Sequence, residues 1–381
     1  MSGEGQNLDS AAKETENDGY QELVAWVEAH GGRVDKRMSI DDIDGLRGVI
    51  ALEDIEEDVE LLHCPWKLVI GSSGVENQMR TEGDMCNVVK IMASEFRLGE
   101  ESTGWPYLKH IELPRLGAMW DLSTVAELQG LPPSQDIDRH LQWYSKNCGG
   151  GDVLDEATTQ ALVSFVSRAS AVGMVPIYDL LNHHNGLKNA KLFVTKDGVD
   201  LRTVQPVLKN QQLYLSYGLK TSSQMYRDYG FVEDWPSLWS WRDSSTHDNH
   251  VFALFPDGIA AIHPSKEFLK EIWKLPTRSL EECQKEAFQF THSLEADKLH
   301  RFTLAAKRLL EGLPTTWRED EEILRHQKKQ KIRFSSDDTQ STIDQEDITA
   351  AIYYRLTFKR ALSEALSALE SVPSSRLEEE L

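Results

Sequence analysis

The sequence predicts an α+β protein in which a β-rich domain, interrupted by a helical insertion, is followed by an all-α C-terminal lobe. Three textures lead there. Short β-prone runs parted by turn residues fill positions 33–70 and return at 191–217, a helical period holds from about 74 to 170, and after Ser265 nearly every stretch repeats at helical spacing. The expected limits are 1–19 for a disordered lead-in, 20–245 for the β-rich domain with its insertion at about 74–165, and 246–381 for the helical lobe.

The lead-in MSGEGQNLDSAAKETENDGY has too few apolar residues to offset the entropy of ordering it. Leu23, Trp26, Val27 and His30 then recur on one helical face, and Gly31-Gly32 supplies a stop. GVIAL (Gly48 to Leu52) and VELLHCP (Val59 to Pro65) read as strands. In the insertion, Met85, Val88, Val89, Met92 and Phe96 make one amphipathic face and Leu162, Phe165, Val166 and Ala169 another, with LPPSQD and CGGGD as loops. KLFVTKDGVDLRTV reads as a hairpin turning at Asp197-Gly198, Leu213 to Tyr217 as a further strand, and HVFALFPDGIAAIH as a hairpin turning at Asp257-Gly258. In the lobe, Phe268, Leu269, Ile272 and Trp273 form one apolar stripe and Ile348, Ala351, Ile352 and Leu356 another. The intervening Ser335 to Asp347, SSDDTQSTIDQED, reads as a mobile polar loop.

Composition excludes several classes. The net charge of −21, from 41 basic and 62 acidic residues, opposes general nucleic-acid affinity, which needs clustered Lys and Arg, and would draw a basic protein partner. No apolar run reaches the roughly 18 residues of a membrane helix. The acidic N-terminus has neither a signal nor a transit pattern, so a cytoplasmic monomer is expected, with the nucleus as the other compartment and a plastid only if a transit peptide is missing. The four cysteines, Cys64, Cys86, Cys148 and Cys283, stand far apart without CxxC spacing, so neither a zinc cluster nor a secreted disulfide framework is expected.

The chemistry concentrates between Met174 and Glu233. MVPIYDLLNHHNG sets Asp179 three residues ahead of Asn182-His183; Tyr217-Gly218 ends a strand, and Tyr229-Gly230-Phe231 closes the next segment. The pattern P-x-x-D-x-x-N-H, then YG, then YGF resembles the SET-domain protein methyltransferases, most of all the subgroup with the Rubisco large-subunit lysine methyltransferase and the actin-histidine methyltransferase. Glu95, Ser102, Trp105, Pro106, Tyr107 and Leu108 resemble that subgroup's insert, and LPTTWREDEEIL and AAIYYRLTFKRAL its C-terminal, substrate-holding helices.

The resemblance implies S-adenosyl-L-methionine as cofactor and methylation of a lysine on a non-histone protein, with histidine as the alternative target. It implies that the Tyr217 hydroxyl faces the transferring methyl, where oxygens can stabilise partial positive charge by CH···O contacts. Asn182 and His183 would cradle the cofactor, Arg168 would meet its carboxylate as a bidentate donor, Asp179 would support the same site, and the Leu46-Arg47-Gly48 turn would form the other wall, glycine permitting close backbone approach. Tyr229 and Phe231 would border the target side chain, as would Ser170 and Tyr178. The sequence departs from the family in three places. Gly45-Leu46-Arg47-Gly48 is one residue wider than G-x-G, with an acidic residue displaced to Asp44; Ser222 replaces an asparagine; and Ser170 stands where the lysine enzyme has an aromatic residue and the histidine enzyme an asparagine. Two other classes remain: a SET-like scaffold that binds a partner without catalysis, and a metal-dependent hydrolase built on His183, His184, His247 and His250. The HDNH stretch (His247 to His250) reads as solvated, in a polar connector.

Overall fold

The computed structural model describes residues 19–43, 46–71, 79, 81–111, 113–149, 154–272, 279–331 and 339–370. Packing divides the chain into two units, Met1–Pro114 with His140–Tyr217, and Arg115–Arg139 with Gly218–Leu381. These limits differ from the 20–245 and 246–381 drawn from sequence texture, because part of the insertion packs with the later chain.

Among the described residues the first unit holds ten short strands: β1 (Arg33–Val34), β2 (Met38–Ile43), β3 (Leu46–Ala51), β4 (Glu60–Pro65), β5 (Ile70–Gly71), β6 (Gly173–Met174), β7 (Asn182–His183), β8 (Ala190–Val194), β9 (Gly198–Thr203) and β10 (Tyr214–Leu215). They pair as one four-stranded sheet, β1-β4-β9-β8, and three two-stranded ones, β2-β3, β5-β6 and the parallel β7-β10. The hairpin at Asp197-Gly198 forms, with Val194 opposite Val199. Of the predicted strand Leu213 to Tyr217, only Tyr214–Leu215 pairs as strand.

Helix 19–29 buries Tyr20, Leu23 and Val27. Helix Glu82–Leu98 begins at a reciprocal capping box between Thr81 and Asp84 and buries Cys86, Val88, Val89, Met92 and Ala93. Its inward stripe includes Cys86, while Met85 is half-buried. Cys86 is bonded to Cys148 at the end of helix Arg139–Cys148, with Cα atoms 5.3 Å apart. The sequence spacing gave no sign of this pair, because two helices bring together positions 62 residues apart. Helix Glu156–Arg168 packs on Glu82–Leu98 and delivers Arg168 at its last turn. The backbones of β5 and β6 cross so closely that a Cβ on Gly173, whose φ is +119°, would lie 2.3 Å from the Ile70 carbonyl oxygen.

The second unit carries a three-stranded antiparallel sheet of β11 (Ser237–Arg242), β12 (Asn249–Leu254) and β13 (Ala260–Ile262). Asp257 and Gly258 turn the β12–β13 hairpin with positive φ, as predicted. The tryptophan-rich passage supplies β11, a strand the sequence reading left out: Trp239 and Trp241 alternate inward against Phe252, Phe302 and Phe358. From Lys266 onward every described element is a helix. The segment expected as a loop is corrected in part. Residues 339–347 open the long helix Thr339–Glu370, where buried Asp347 receives two hydrogen bonds from Arg115; 332–338 lie outside the described residues. So do the 1–18 lead-in, the middle of CGGGD, and Trp273.

Candidate functional site

Three strands and a helix end bring most of the predicted residues of the first unit together. β7 lies beside β10, so Asn182 is opposite Tyr214 and His183 opposite Leu215. Two residues past β10, the Tyr217 backbone N–H donates to His183 Nδ1 at 2.9 Å, and the two rings lie 5.0 Å apart. That bond makes Nδ1 an acceptor and thereby sets the imidazole tautomer. The Tyr217 hydroxyl donates to the Leu181 carbonyl at 2.8 Å. Asn182 Nδ2 donates to the Arg47 carbonyl on β3 at 2.8 Å, tying the glycine turn to the same strand. A Cβ on Gly48 would meet Gln212 Nε2 at 2.0 Å and Asn182 Nδ2 at 3.0 Å, so the close approach requires glycine. The backbone of Leu46 runs in β3; Asp44 and Gly45 lie outside the described residues.

Arg168 donates from Nη1 to the Asp179 carbonyl at 3.0 Å, with the Asp179 carboxylate 3.9 Å away. Asp179 is buried, and burial raises its pKa against the opposing pull of Arg168. Its Oδ2 accepts from the buried Tyr107 hydroxyl at 2.9 Å. The residue before this short helical turn, Ile177, has φ +68°, a costly conformation for a β-branched side chain. Tyr178, beside it, is half-buried against the core, and burial with the neighbouring Asp179 charge pushes its phenol up to about 12. The Ser170 hydroxyl donates to the Gly173 carbonyl at 2.9 Å and so closes a local turn.

In the second unit, Thr221 caps helix Ser222–Tyr229 in a box with Gln224, and Ser222, the departure from asparagine, starts the helix fully buried. Tyr229 ends that helix ahead of left-handed Gly230, with the Phe231 ring 6.2 Å away. The Lys220 ammonium lies 5.4 Å from the Tyr229 ring centroid and 3.1 Å from the Asp228 carboxylate.

The four histidines have local duties. His184 Nδ1 accepts from the Gly186 and Leu187 N–H groups and braces a turn. His247 is exposed, but His250 corrects the solvated reading of HDNH: it is buried on β12, stacked on Trp241, 3.3 Å from His263 Nε2. No cluster of three or more metal-ligating side chains occurs among the described residues. Nor is any described helix long and apolar enough to cross a membrane.

The donor set fits a sulfonium nucleotide with an amino-acid end. Glycine at 48 lets the β3 backbone close on Asn182 and Gln212, Arg168 is a guanidinium held beside Asp179, and Asp179 Oδ1 and Gln212 Nε2 are buried without a hydrogen-bond partner among the described residues. Tyr107 and Gln212 are residues that sequence reasoning missed as contributors. Tyr107 was visible only as part of the W-P-Y-L string, and nothing in the sequence marked Gln212.

The architecture is that of the SET-domain proteins, of the type found in Rubisco LSMT, so the fold class read from the sequence is borne out. Solved structures similar to this chain include the SET domain of LSMT bound to lysine and AdoHcy, with TM-score 0.55 and 18% identity over 93% of this chain and 91% of that one. Rubisco LSMT bound to sinefungin and monomethyllysine matches with TM-score 0.53 and 18% identity over 95% and 96% of the two chains. Among curated proteins, ribosomal lysine N-methyltransferase 4 of Saccharomyces cerevisiae is 22% identical over 338 residues, 72% of this chain. The chain spans 64% of that relative's length. No family model matches the chain.

Proposed function

We propose that this protein is an S-adenosylmethionine-dependent protein-lysine N-methyltransferase acting on a non-histone protein. The observation that carries the reading is the hydrogen-bonded cluster of Tyr217 on His183 and Asn182 on Arg47, which unites three sequence blocks at one strand pair. The curated relative is named for ribosomal lysine methylation and two solved neighbours hold lysine or methyllysine, which supports a lysine target.

The cofactor, when bound, supplies the electrophilic methyl group. Arg168 would pair with its carboxylate, Asn182 and the Leu46-Arg47-Gly48 backbone would line it, and Asp179 would brace Arg168. His183 holds the Tyr217 peptide in place. Because the Tyr217 hydroxyl proton is committed to the Leu181 carbonyl, its oxygen presents lone pairs, the feature needed to stabilise a polarised methyl. Tyr229 and Phe231 offer an aromatic face to the target ammonium, while Ser170 and Tyr178 are the first unit's candidates for substrate contact. We further propose that residues 20–245 form the catalytic domain, with the insertion at about 74–165 and the lobe 246–381 holding substrate.

A monomer in the cytoplasm is the proposed setting. The Cys86–Cys148 bond argues the other way, since cytosolic thiols are kept reduced; alkylating cell extracts before unfolding tells whether the two are bonded in place. The main test is Tyr217→Phe. Cofactor affinity by calorimetry should stay within a few-fold, while methyl transfer to labelled proteome falls by roughly 100-fold or more. Undiminished transfer would remove Tyr217 from its role, and no cofactor binding by the wild type would remove the enzyme reading itself.

A further inference from the structure

The string Glu95, Ser102, Trp105, Pro106, Tyr107, Leu108 has a local physical reason. The buried Ser102 hydroxyl donates to the Glu95 carboxylate at the end of helix Glu82–Leu98 and also accepts from the Gly104 N–H at 3.0 Å. These two hydrogen bonds, to a helix end and from a turn, fix where the next helix, Trp105–Leu108, begins. Pro106 sits in its first turn, where a missing N–H costs nothing. The result places Tyr107 fully buried, with its hydroxyl 2.9 Å from Asp179 Oδ2, although the two positions are 72 residues apart. Asp179 in turn holds Arg168 through its carbonyl at 3.0 Å and its carboxylate at 3.9 Å.

We propose that Tyr107 is a positioning residue for cofactor binding: its hydroxyl anchors the Asp179 carboxylate, which keeps the Arg168 guanidinium turned to receive the cofactor's carboxylate. The inference rests on the methyltransferase reading and extends it to a residue of the insertion. A phenol hydroxyl spent only on packing would be an expensive choice in a site of this burial, since phenylalanine fills the same space without a donor to satisfy. The groups facing Asp179 are Tyr107, Arg168, Arg47, Cys64 and Tyr178. Of these, Arg168, the Tyr107 hydrogen bond and Arg47 favour the carboxylate, in that order, against the larger effect of burial. Removing the hydroxyl therefore makes Asp179 easier to protonate, and its countercharge to Arg168 disappears at a higher pH than in the wild type.

The test is Tyr107→Phe, with Asp179→Asn as the second variant. S-adenosylmethionine affinity is measured by calorimetry from pH 5 to 8, and the Asp179 carboxyl is titrated by carbon NMR in the cofactor-free protein. The expected result is roughly tenfold weaker cofactor binding at neutral pH, with turnover at saturating cofactor within about threefold, as a positioning residue should behave. The midpoint of the acid-side loss of affinity and the Asp179 titration should both move to higher pH. Asp179→Asn should weaken binding similarly and make it insensitive to Tyr107→Phe in the double variant. Wild-type affinity with an unmoved midpoint and only a lower melting temperature would reduce the hydroxyl to packing and overturn the proposal. If the wild type binds no cofactor, the methyltransferase reading fails instead, and an unshifted Asp179 titration in Tyr107→Phe would separately overturn the Tyr107 coupling.

Discussion

Each unit buries a carboxylate against basic side chains, but the two do so differently. In the second unit, Asp320 is fully buried between Lys359, at 2.7 Å, and Arg355, at 2.9 Å. Lys359 also donates to Gln129 Oε1 and to both oxygens of Thr315, while Arg355 reaches the carbonyl and carboxylate of Glu127. Both carboxylate oxygens of Asp320 have donors, and the network ties the early segment Arg115–Arg139 to the last helix. In the first unit, Asp179 has one oxygen on Tyr107 and the other without a partner among the described residues, two positions from a strained Ile177. A fully satisfied buried network specifies packing; an incompletely satisfied one next to strain marks where a ligand is awaited. The Asp320 cluster is built for packing, and the Asp179 cluster is the one we propose to support cofactor binding.

The largest expected effect breaks the satisfied network. Asp320→Ala leaves Lys359 and Arg355 buried without their carboxylate and should cost about 3–5 kcal/mol in urea unfolding. A loss within about 1 kcal/mol would mean the network is dispensable to packing. Gly48→Ala tests the other side: the new Cβ pushes on Gln212 and Asn182, so cofactor affinity should drop by about tenfold while the urea midpoint changes little. Equal affinity would show that the turn is no binding wall.

The smallest effect sharpens the contrast through pH. Burial raises the folded-state pKa of Asp179, so its contribution to stability is present below the ordinary carboxylate value and is lost as pH rises through the raised one. Asp243 in the second unit is the reverse. The Ser245 backbone N–H leads the groups, the Ser245 hydroxyl, Arg308 and Thr246 among them, that hold it well below the ordinary value. Its stabilisation is therefore present above that value and lost as pH falls through the depressed one. Asp179→Asn should leave neutral-pH stability unchanged or slightly higher, and Asp243→Asn should lower it; melting temperatures followed from neutral pH down well below the ordinary carboxylate value distinguish the two slopes.

Much of the fold was legible because burial patterns have short periods. The hairpin turns at Asp197-Gly198 and Asp257-Gly258 and the faces of the insertion helices follow from local alternation or helical spacing. The strand in the tryptophan-rich passage was missed because large aromatics signal burial without declaring a period, and Thr339–Asp347 because polar residues can be helical when one of them, here Asp347, is anchored by Arg115. Of the site, Asn182, His183 and Tyr217 were legible as motif positions, and strand pairing brings them together.

By itself the sequence determined most of the elements, the net negative charge and the residue types able to meet a sulfonium cofactor, since each is read from composition or from neighbours within a few positions. Only the tertiary structure decided that Cys86 meets Cys148, that Tyr107 donates to Asp179, and that residues 115–139 pack with the C-terminal helices. Those contacts join positions dozens to hundreds of residues apart. Whether they form depends on how helices and sheets close over one core, a choice that no local period encodes.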